Sequence, residues 1–550
     1  MNAIVDAIAT SLLVLSLVNT AQTDVFTAIS HLEDSVRVEV ELVSALRDYI
    51  SAEERRLDKL RRFADESEEL TNKALENVDD FLANPVNAFM LVKRLYIEWN
   101  EVINSTKSLI NYGDLAINVS KHRANIPTES DLQGAAQALL RLQDVYKLRP
   151  SDIISGNIHG FQTRPLTWQD CFDLGKAAYR KRDHYHVDIW MNEALKKWKV
   201  NEERSEHRSD LSIVQVLDYL AFSHYRIVKP NTVFEYDGHI HSLVSWANYN
   251  THQPGHARIT RNVKNFQEEI EEKEESSRLI LKDKPSVRPN STYLDDRDAY
   301  EALCRGERRK PLDSSKVKCQ YVTNGNYRLL LQPAKQEIMH HNPRVVLYHD
   351  VISDEEINEV IKLAKPKLRR SLVVTKGSSP SGTGSSDAEY RVSSGGWLED
   401  WDGTVIAKLT RRISDISGLS TLTAPEYRHA EALQVVNYGL GGHYEPHFDH
   451  ATIENSDVHL PGSRNRIATW MFYMSEVKAG GYTVFPEVDA FVPPVKNAAV
   501  FWYNLKASGE SDDLTRHAGC PVLIGSKWVA NKWIHEKGNE LRRPCDLYPD

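Results

Sequence analysis

Apolar residues recur every three or four positions in the first part of the chain. From residue 29 they occupy the first and fourth places of a seven-residue repeat, and Glu39 and Glu53 interrupt this series: Ile29, Leu32, Val36, Val43, Leu46, Ile50, Leu57 and Leu60. This spacing is typical of a coiled-coil seam, and a long amphipathic helix in an ordinary bundle is the alternative. Asn84-Pro85 breaks the pattern, which resumes to about residue 145. The sequence therefore predicts a helical region over residues 22–145.

A second helical region is predicted over residues 160–270. Thr167 followed by Asp170 marks the start of a helix. Spaced aromatic residues follow, and the last three lie along one side of a helix: Phe172, Tyr179, Tyr185, Trp190, Tyr219, Phe222 and Tyr225. The pattern favours helix-turn-helix units of tetratricopeptide type. An aromatic stripe is usually part of a core, and the alternative is a groove on which the rings of a polyproline II peptide stack.

The pattern changes after residue 267. Acidic residues dominate residues 268–275, which predicts an exposed helix end and a linker over residues 271–335. From residue 336 onward, short apolar runs alternate with glycine and proline, as at residues 344–348, 431–438, 498–503 and 527–533. Such runs predict a β-sandwich or barrel over residues 336–550. The predicted fold class is therefore a multidomain α+β protein.

Composition and charge narrow the function classes. A chain of 550 residues with 41% hydrophobic residues predicts several globular domains. The formal net charge is −9 and no basic stripe occurs, so nucleic acid is not an expected partner.

The N-terminal residues indicate a cellular compartment. Residues 11–18 are an apolar run too short for a membrane span, which predicts a signal peptide over residues 1–21, with a buried first helix as the alternative. Asn104, Asn118 and Asn290 lie in glycosylation sequons, in agreement with entry into the endoplasmic reticulum. The last residues, 547–550, are not a retention signal, so we expect a partner to hold the protein in that compartment.

The chain has five cysteines and no Cys-x-x-Cys pair, which argues against a zinc site. In an oxidising compartment, closeness along the chain predicts the pairs Cys304 with Cys319 and Cys520 with Cys545. Cys171 lies within an apolar helical pattern and is predicted to be a small buried residue.

Residues that can bind a metal occur in the last domain. His447 and Asp449 are two positions apart, and on a strand both side chains point to the same side. His517 can supply a third ligand, which leaves three positions of iron(II) open for a 2-oxo acid and dioxygen. His186 and Asp188 have the same spacing, but in a helix they diverge by about 200°, so we interpret them as surface residues.

Lys527, ten residues after His517, begins an aromatic strand. A buried cation there would bind the far carboxylate of 2-oxoglutarate, whereas the alternative is an edge-strand lysine in solvent. The glycine-rich run at residues 439–442 invites comparison with a phosphate-binding loop. No helical pattern follows it, which favours a hairpin turn leading to the His447 strand.

Several segments together resemble one enzyme family. The chain is similar to collagen prolyl 4-hydroxylase alpha subunits through QVVNYG (434–439), YEPHFD (444–449), NRIATW (465–470), FWYNL (501–505), KWVANKW (527–533), YEALCRGE (300–307) and DCFDLGK (170–176). The resemblance covers nearly the whole chain after residue 21.

The resemblance implies an architecture and an activity. It implies a helical N-terminal dimerisation domain, a tetratricopeptide-like peptide-substrate domain and a double-stranded β-helix (jelly-roll) catalytic domain. It implies hydroxylation of proline C4 in collagen-like X-Pro-Gly polypeptides, with iron(II), 2-oxoglutarate and L-ascorbate. It also implies an α2β2 tetramer with protein disulfide isomerase in the endoplasmic reticulum lumen.

The resemblance assigns roles residue by residue. His447, Asp449 and His517 are the implied iron ligands and Lys527 the implied 2-oxoglutarate anchor. The resemblance also places Tyr438 and Thr483 beside the anchor, His535 near the other end of the cosubstrate, and Tyr444 and Trp533 at the proline site. For these aromatic residues and His535, packing in an aromatic-rich barrel is the alternative. The groove would use Tyr179, Tyr219 and Tyr225, but Phe222 and Asn265 stand where similar chains usually have tyrosine.

Two other function classes remain open at this point. A related 2-oxoglutarate dioxygenase acting on lysine, or on another proline sequence, would keep the same metal ligands. A non-catalytic collagen-binding subunit would keep the aromatic groove and tolerate the loss of a ligand. The presence of all three candidate ligands and of Lys527 disfavours the second class.

Overall fold

The structure is a computed structural model that describes residues 29–106, 128–202, 213–227, 261, 264, 288–289, 294–309, 318–370, 391–424, 426–451 and 464–546. The chain divides into two units, Met1–Glu76 and Asn77–Asp550. The described part of the first unit is a single helix, α1 (Ile29–Glu76), of 48 residues. Four apolar residues of the predicted seam, Val43, Leu46, Ile50 and Leu57, are 40–57% exposed on it.

The second unit begins with a helical region. Its helices are α2 (Val78–Ala83), α3 (Pro85–Lys93), a π-helical turn (Arg94–Glu98), α4 (Trp99–Thr106), α5 (Glu129–Val145), α6 (Pro150–Ser155), α7 (Trp168–Arg180), α8 (His184–Glu202) and α9 (Ile213–Ile227). A short hairpin, β1 (Asn157–Ile158) with β2 (Phe161–Gln162), separates α6 from α7. Helices α3 and α5 to α9 contribute to one apolar core that contains Phe89, Leu139 and Trp190.

Both helix boundaries predicted from the sequence are confirmed. The Asn84 side chain accepts a hydrogen bond from the backbone of Val86, so it caps α3, and Pro85 occupies the first turn, where it needs no hydrogen-bond partner for its nitrogen. Thr167 and Asp170 form a reciprocal capping box at the start of α7. Asp170 also forms a buried ion pair with Lys93, with 2.6 Å between Nζ and Oδ1, which joins α3 to α7.

The β-rich region forms two main sheets. The larger has the order β3-β4-β5-β14-β10-β17-β8-β7-β6 and the smaller the order β13-β12-β15-β9, with every pairing antiparallel. The strands of the larger sheet are β3 (Cys319–Val322), β4 (Ala334–His340), β5 (Val345–His349), β6 (Arg369–Arg370), β7 (Ser394–Leu398), β8 (Leu433–Tyr438), β10 (Arg466–Tyr473), β14 (Ala499–Tyr503) and β17 (Lys527–His535). Those of the smaller sheet are β9 (Tyr444–His447), β12 (Thr483–Phe485), β13 (Ala490–Val492) and β15 (His517–Gly519), and β11 (Val477–Gly480) pairs separately with β16 (Val522–Gly525).

Side chains alternate between the two faces of the larger sheet, so the core has two layers. Val436 and Met471 of the larger sheet share a buried cluster with Phe485 and Val492 of the smaller one. The opposite face of the larger sheet is covered by α11 (Asp354–Ala364) and α12 (Thr404–Ser417). A further helix, α10 (Arg297–Cys304), precedes the first strand of the larger sheet. The strands predicted from residues 344–348, 431–438, 498–503 and 527–533 are confirmed as β5, β8, β14 and β17.

The predicted disulfide pairs are wrong. Cys304 is bonded to Cys520, 216 residues away, with a Cα–Cα distance of 5.4 Å. Both are 1% exposed in one apolar cluster, whereas Cys319 and Cys545 are exposed free thiols. Closeness along the chain was therefore a poor guide, because tertiary packing brings the two buried cysteines together. Cys171 is buried as predicted, and burial raises its thiol pKa to about 12.

Two further expectations need correction. His186 is buried rather than a surface residue: its ring lies 2.6 Å from Asp183 and 3.1 Å from Asp144. Burial alone would lower its pKa, but these carboxylates raise it to about 9. The turn at residues 439–442 is not a hairpin between paired strands, because β8 and β9 belong to different sheets.

Some predictions lie outside the described residues. They are the signal peptide at residues 1–21, the sequons at Asn118 and Asn290, Asn265, and the side chain of Tyr225. The third sequon residue, Asn104, is exposed near the end of α4. In the described ranges, no helix is both long enough and apolar enough to cross a membrane.

Candidate active site

Strand pairing brings the three candidate metal ligands together. His447 at the end of β9 lies opposite His517 at the start of β15. Asp449 follows β9 in a bend, so it reaches the same point from beyond the strand rather than from the strand itself. One donor atom from each residue lies within 4.8 Å of the others, and this is the one such cluster among the described residues.

Backbone contacts orient both imidazoles. His447 Nδ1 lies 2.8 Å from the carbonyl of Glu445, and His517 Nδ1 lies 3.0 Å from the carbonyl of Thr515. A carbonyl only accepts hydrogen bonds, so Nδ1 must carry the proton in each ring and Nε2 keeps its lone pair. The two Nε2 atoms lie 3.7 and 3.6 Å from the carboxylate oxygens of Asp449. The tautomers are therefore those that a divalent metal requires.

His447 and Asp449 are also in the charge states that metal binding requires. Burial, reinforced by His517, lowers the pKa of His447 to about 3. Burial alone would raise the pKa of Asp449, but His517 and His447 outweigh it and the pKa falls to about 2. A neutral imidazole and an ionised carboxylate are the forms that bind metal, and both exist at neutral pH. Two histidines and one carboxylate fit iron(II) with positions left open.

A chain of buried hydrogen bonds fixes Asp449. Thr469 donates from Oγ1 to Asp449 Oδ2 at 2.7 Å, and Asn504 donates from Nδ2 to Thr469 Oγ1 at 2.9 Å. Trp502 donates in turn from Nε1 to Asn504 Oδ1 at 2.8 Å. Sequence reasoning missed these three residues, although all lie in segments that carry the family resemblance. Their roles depend on cross-strand neighbours, which spacing along the chain does not reveal.

Lys527 lies in the same cavity as the triad. This cavity measures about 30 Å³, and its lining includes Tyr438 and Thr483 as well as the three ligands. Lys527 is 2% exposed, and its Nζ lies 5.3 Å from the ring centre of Tyr438. Among the described residues no carboxylate forms an ion pair with it, and burial lowers its pKa to about 7. Lys527 is therefore an internal amine rather than an edge-strand lysine in solvent.

Tyr444 and Trp533, predicted at the proline site, line the cavity, whereas His535, predicted near the other end of the cosubstrate, does not. Tyr444 stacks on His447 with 3.5 Å between ring centres, and Tyr444 and Trp533 both line the cavity. His535 is not part of that lining; its Nε2 lies 3.2 Å from Glu431 Oε1.

Two arginines that the sequence did not reveal lie against the rings of Tyr444 and Trp533. The guanidinium of Arg391 lies 4.6 Å from the ring centre of Tyr444, and that of Arg466 lies 4.0 Å from the ring centre of Trp533. Arg466 also forms an ion pair with Glu431. No local pattern marks either arginine, because each acts across strands.

The predicted groove residues form one aromatic cluster on α7 and α9. The ring centre of Tyr179 lies 4.7 Å from that of Tyr219 and 5.6 Å from that of Phe222. Phe222 is 39% exposed and Tyr219 is half-buried. The cluster therefore packs within the helical region and still presents aromatic surface, so the core and groove interpretations are compatible.

Known protein families match three parts of the chain. Residues 28–160 match "Prolyl 4-Hydroxylase alpha-subunit, N-terminal region", residues 168–272 match "Prolyl 4-hydroxylase peptide-substrate-binding domain", and residues 433–535 match "2OG-Fe(II) oxygenase superfamily". The chain thus has an N-terminal domain, a helical tetratricopeptide-like domain and a C-terminal β-rich oxygenase domain.

Whole proteins match along nearly their full length. The chain is 42% identical over 542 residues to prolyl 4-hydroxylase subunit alpha-1 of Homo sapiens, covering 95% of each chain. It is 42% identical over 536 residues to subunit alpha-2 of Gallus gallus, covering 96% of each. Subunit alpha-3 of Rattus norvegicus is 40% identical over 545 residues, covering 96% of this chain and 95% of that protein.

Proposed function

Because this chain belongs to the family of prolyl 4-hydroxylase alpha subunits, we propose that it hydroxylates C4 of proline in collagen-like X-Pro-Gly polypeptides. The reaction consumes dioxygen and 2-oxoglutarate and releases succinate and carbon dioxide. The observation that carries the proposal is a metal-binding triad in the correct tautomers, in one cavity with the buried amine of Lys527.

Iron(II) is the proposed metal, and when bound it supplies the activation of dioxygen. His447, Asp449 and His517 would hold it and leave three positions for the cosubstrate and dioxygen. The hydrogen bond from Thr469 to Asp449 would orient that carboxylate for the metal. L-Ascorbate is the proposed reductant that returns oxidised iron to the active state.

Lys527 is the proposed partner of the far carboxylate of 2-oxoglutarate. Among the described residues, no carboxylate pairs with this buried amine, so its charged form is poorly stabilised. A bound dicarboxylate would supply the missing negative charge. Thr483 and Tyr438 line the same cavity as Lys527. Tyr473 donates to or accepts from Thr483 at 2.8 Å, which orients that hydroxyl. Charge and hydrogen bonding together therefore favour a dicarboxylic cosubstrate.

The remaining cavity wall would hold the proline and exclude water. Tyr444 and Trp533 present flat aromatic surfaces, and the arginine beside each ring fixes its orientation. The cluster of Tyr179, Tyr219 and Phe222 is the proposed contact for proline rings of a longer peptide. Substrate length would then be recognised at a surface apart from the cavity.

The finer architecture is part of the same proposal. The two facing sheets are consistent with a double-stranded β-helix, and the exposed seam of α1 fits a coiled coil that dimerises the chain. We propose an α2β2 tetramer with protein disulfide isomerase in the endoplasmic reticulum lumen. An exposed Asn104 fits glycosylation there.

A peptide panel tests the activity. The chain, co-expressed with protein disulfide isomerase, is supplied with iron(II), ascorbate and 2-oxoglutarate, and succinate release is measured with a Pro-Pro-Gly repeat or a repeat carrying lysine before glycine. We expect release that depends on the proline peptide. Release with the lysine peptide alone would contradict the proposal and favour a related dioxygenase.

A further inference from the structure

Helix α10 lies in the segment predicted as a linker, yet it packs against a strand of the proposed iron site. Tyr300, Leu303 and Cys304 of α10 share a buried cluster with Ala518 and Cys520. Ala518 follows His517 on β15, and both residues contribute to the cavity lining. Helix α10 therefore packs beside the strand that carries His517. The segment lies outside the three regions that match family models.

Two connections to α10 flank β15 along the chain. Immediately before the strand, Arg516 forms an ion pair with Asp296, at 2.6 Å between NH1 and Oδ2. Immediately after it, Cys520 is bonded to Cys304. The strand has only three residues, so its own ladder supplies few hydrogen bonds. The two connections hold both of its ends against one helix.

Asp296 stands at the start of α10 but pairs with Arg516 rather than capping the helix. It occupies the N-cap of α10, where an aspartate normally accepts a hydrogen bond from the first turn, but its side chain makes no such bond. The carboxylate instead contacts Arg516, and both side chains are about one-fifth exposed, at 19% and 24%. Glu487 also approaches Arg516, at 3.5 Å, but it is 43% exposed and the longer contact is weaker.

We propose that Asp296 is a positioning residue for the iron ligand His517, and that α10 is the element through which it acts. The ring of His517 is oriented by the carbonyl of Thr515, the residue before Arg516. An anchored Arg516 therefore fixes both the carbonyl that selects the tautomer and the strand that carries the ring. The inference rests on the proposed iron site.

The test is Asp296→Asn with Asp298→Asn as its control. Asparagine caps a helix as well as aspartate, so Asp296→Asn removes the charge and keeps the ability to cap. Asp298 lies two residues away on the same helix and its side chain is 96% exposed, so it controls for loss of one negative charge. The full chain, co-expressed with protein disulfide isomerase and freed of metal, is titrated anaerobically with iron(II), and thermal unfolding is recorded without metal.

We expect Asp296→Asn to weaken iron(II) binding about 3- to 10-fold, less than the 10- to 100-fold typical of a direct partner of a ligand. The unfolding temperature without metal should match that of Asp298→Asn, which should bind iron(II) like the parent chain. Equal affinities for the two variants would overturn the inference while leaving the iron site intact. Failure of the parent chain to bind iron(II) would instead refute the proposed function, and the inference with it.

Exchanging the charges of Asp296 and Arg516 distinguishes a positioning role of Asp296 from an effect on stability alone. The double variant Asp296→Arg with Arg516→Asp restores an ion pair with its signs reversed, and we expect it to recover at least half of the loss in binding free energy caused by Asp296→Arg alone. No recovery, together with a lowered unfolding temperature, would mean that Asp296 acts only on the stability of α10 and would overturn the proposal.

Discussion

The buried amine of Lys527 predicts that binding of 2-oxoglutarate takes up a proton. Burial lowers its pKa from 10.5 to about 7. Above pH 7 the free protein therefore holds this amine mostly neutral. A bound dicarboxylate favours the charged form, so binding is coupled to protonation of Lys527.

The magnitude follows from this shift in pKa. A fall from 10.5 to about 7 corresponds to roughly 5 kcal/mol of destabilisation of the charged form. At pH 8 about nine-tenths of the free protein has a neutral amine, so binding takes up about 0.9 proton. Between pH 7 and pH 9 the dissociation constant of 2-oxoglutarate should rise about 50-fold, because the fraction of binding-competent protein falls by that factor.

The same shift sets a pH dependence of stability. The unfolded amine binds its proton up to about pH 10.5, so between pH 7 and that value the unfolded state binds more protons than the folded state. Below pH 7 the folded protein bears the full free-energy cost of burying the charged amine. This cost disappears as pH rises from about 7 to 10.5. The protein without cosubstrate should therefore gain stability from Lys527 as pH rises from 7 to 10.

Calorimetric titration of the iron(II)-loaded protein with 2-oxoglutarate, in buffers of different ionisation enthalpy, measures the proton uptake. The control is Lys527→Arg, whose guanidinium stays charged at all these pH values, so its affinity should be nearly independent of pH even where it is weaker. An affinity of the parent chain that stays constant from pH 7 to pH 9, with no proton uptake, would refute the role assigned to Lys527.

Three further predictions concern the ligands, the disulfide and the groove. Replacing Thr469 by valine removes a direct hydrogen bond to the metal-binding carboxylate and should weaken iron(II) binding about 10- to 100-fold in an anaerobic titration; an unchanged affinity would mean that this bond does not hold the ligand. Peptide mapping without reductant should recover Cys304 linked to Cys520, and recovery of either cysteine linked elsewhere would contradict the packing described. The double variant Phe222→Tyr with Asn265→Tyr should lower the KM for long Pro-Pro-Gly peptides roughly 10- to 30-fold and leave that for very short ones unchanged; an equal KM for long peptides would mean that these positions do not face the substrate.

Sequence patterns together with the family resemblance predicted the three residues that the structure groups as a candidate metal site. His447, Asp449, His517 and Lys527 form a recognisable set by their order along the chain. Strand alternation does not bring the first two together, because Asp449 lies in the bend beyond β9. Helix boundaries at Asn84 and Thr167 also followed from local chemistry, because capping bonds join residues two or three positions apart.

Contacts between residues far apart along the chain could not be predicted in the same way. The bond between Cys304 and Cys520 depends on α10 packing against β15, which no spacing encodes. Thr469 supports Asp449 because β10 passes behind the bend that follows β9. His186 was assigned to the surface because its helical spacing from Asp188 rules out a shared metal, but Asp144 of α5 and Asp183, just before α8, keep it charged in the interior.

The most direct test of the central claim is the chemical identity of the product. The chain is co-expressed with protein disulfide isomerase and incubated with a Pro-Pro-Gly repeat peptide, iron(II), ascorbate and 2-oxoglutarate, and the peptide is analysed by tandem mass spectrometry and, after hydrolysis, by amino-acid analysis. The account predicts a gain of one oxygen on proline before glycine, recovered as 4-hydroxyproline, and no gain with His517→Ala, because the triad has no spare ligand. An unmodified peptide from the active-site-intact enzyme, or equal hydroxylation by His517→Ala, would contradict it.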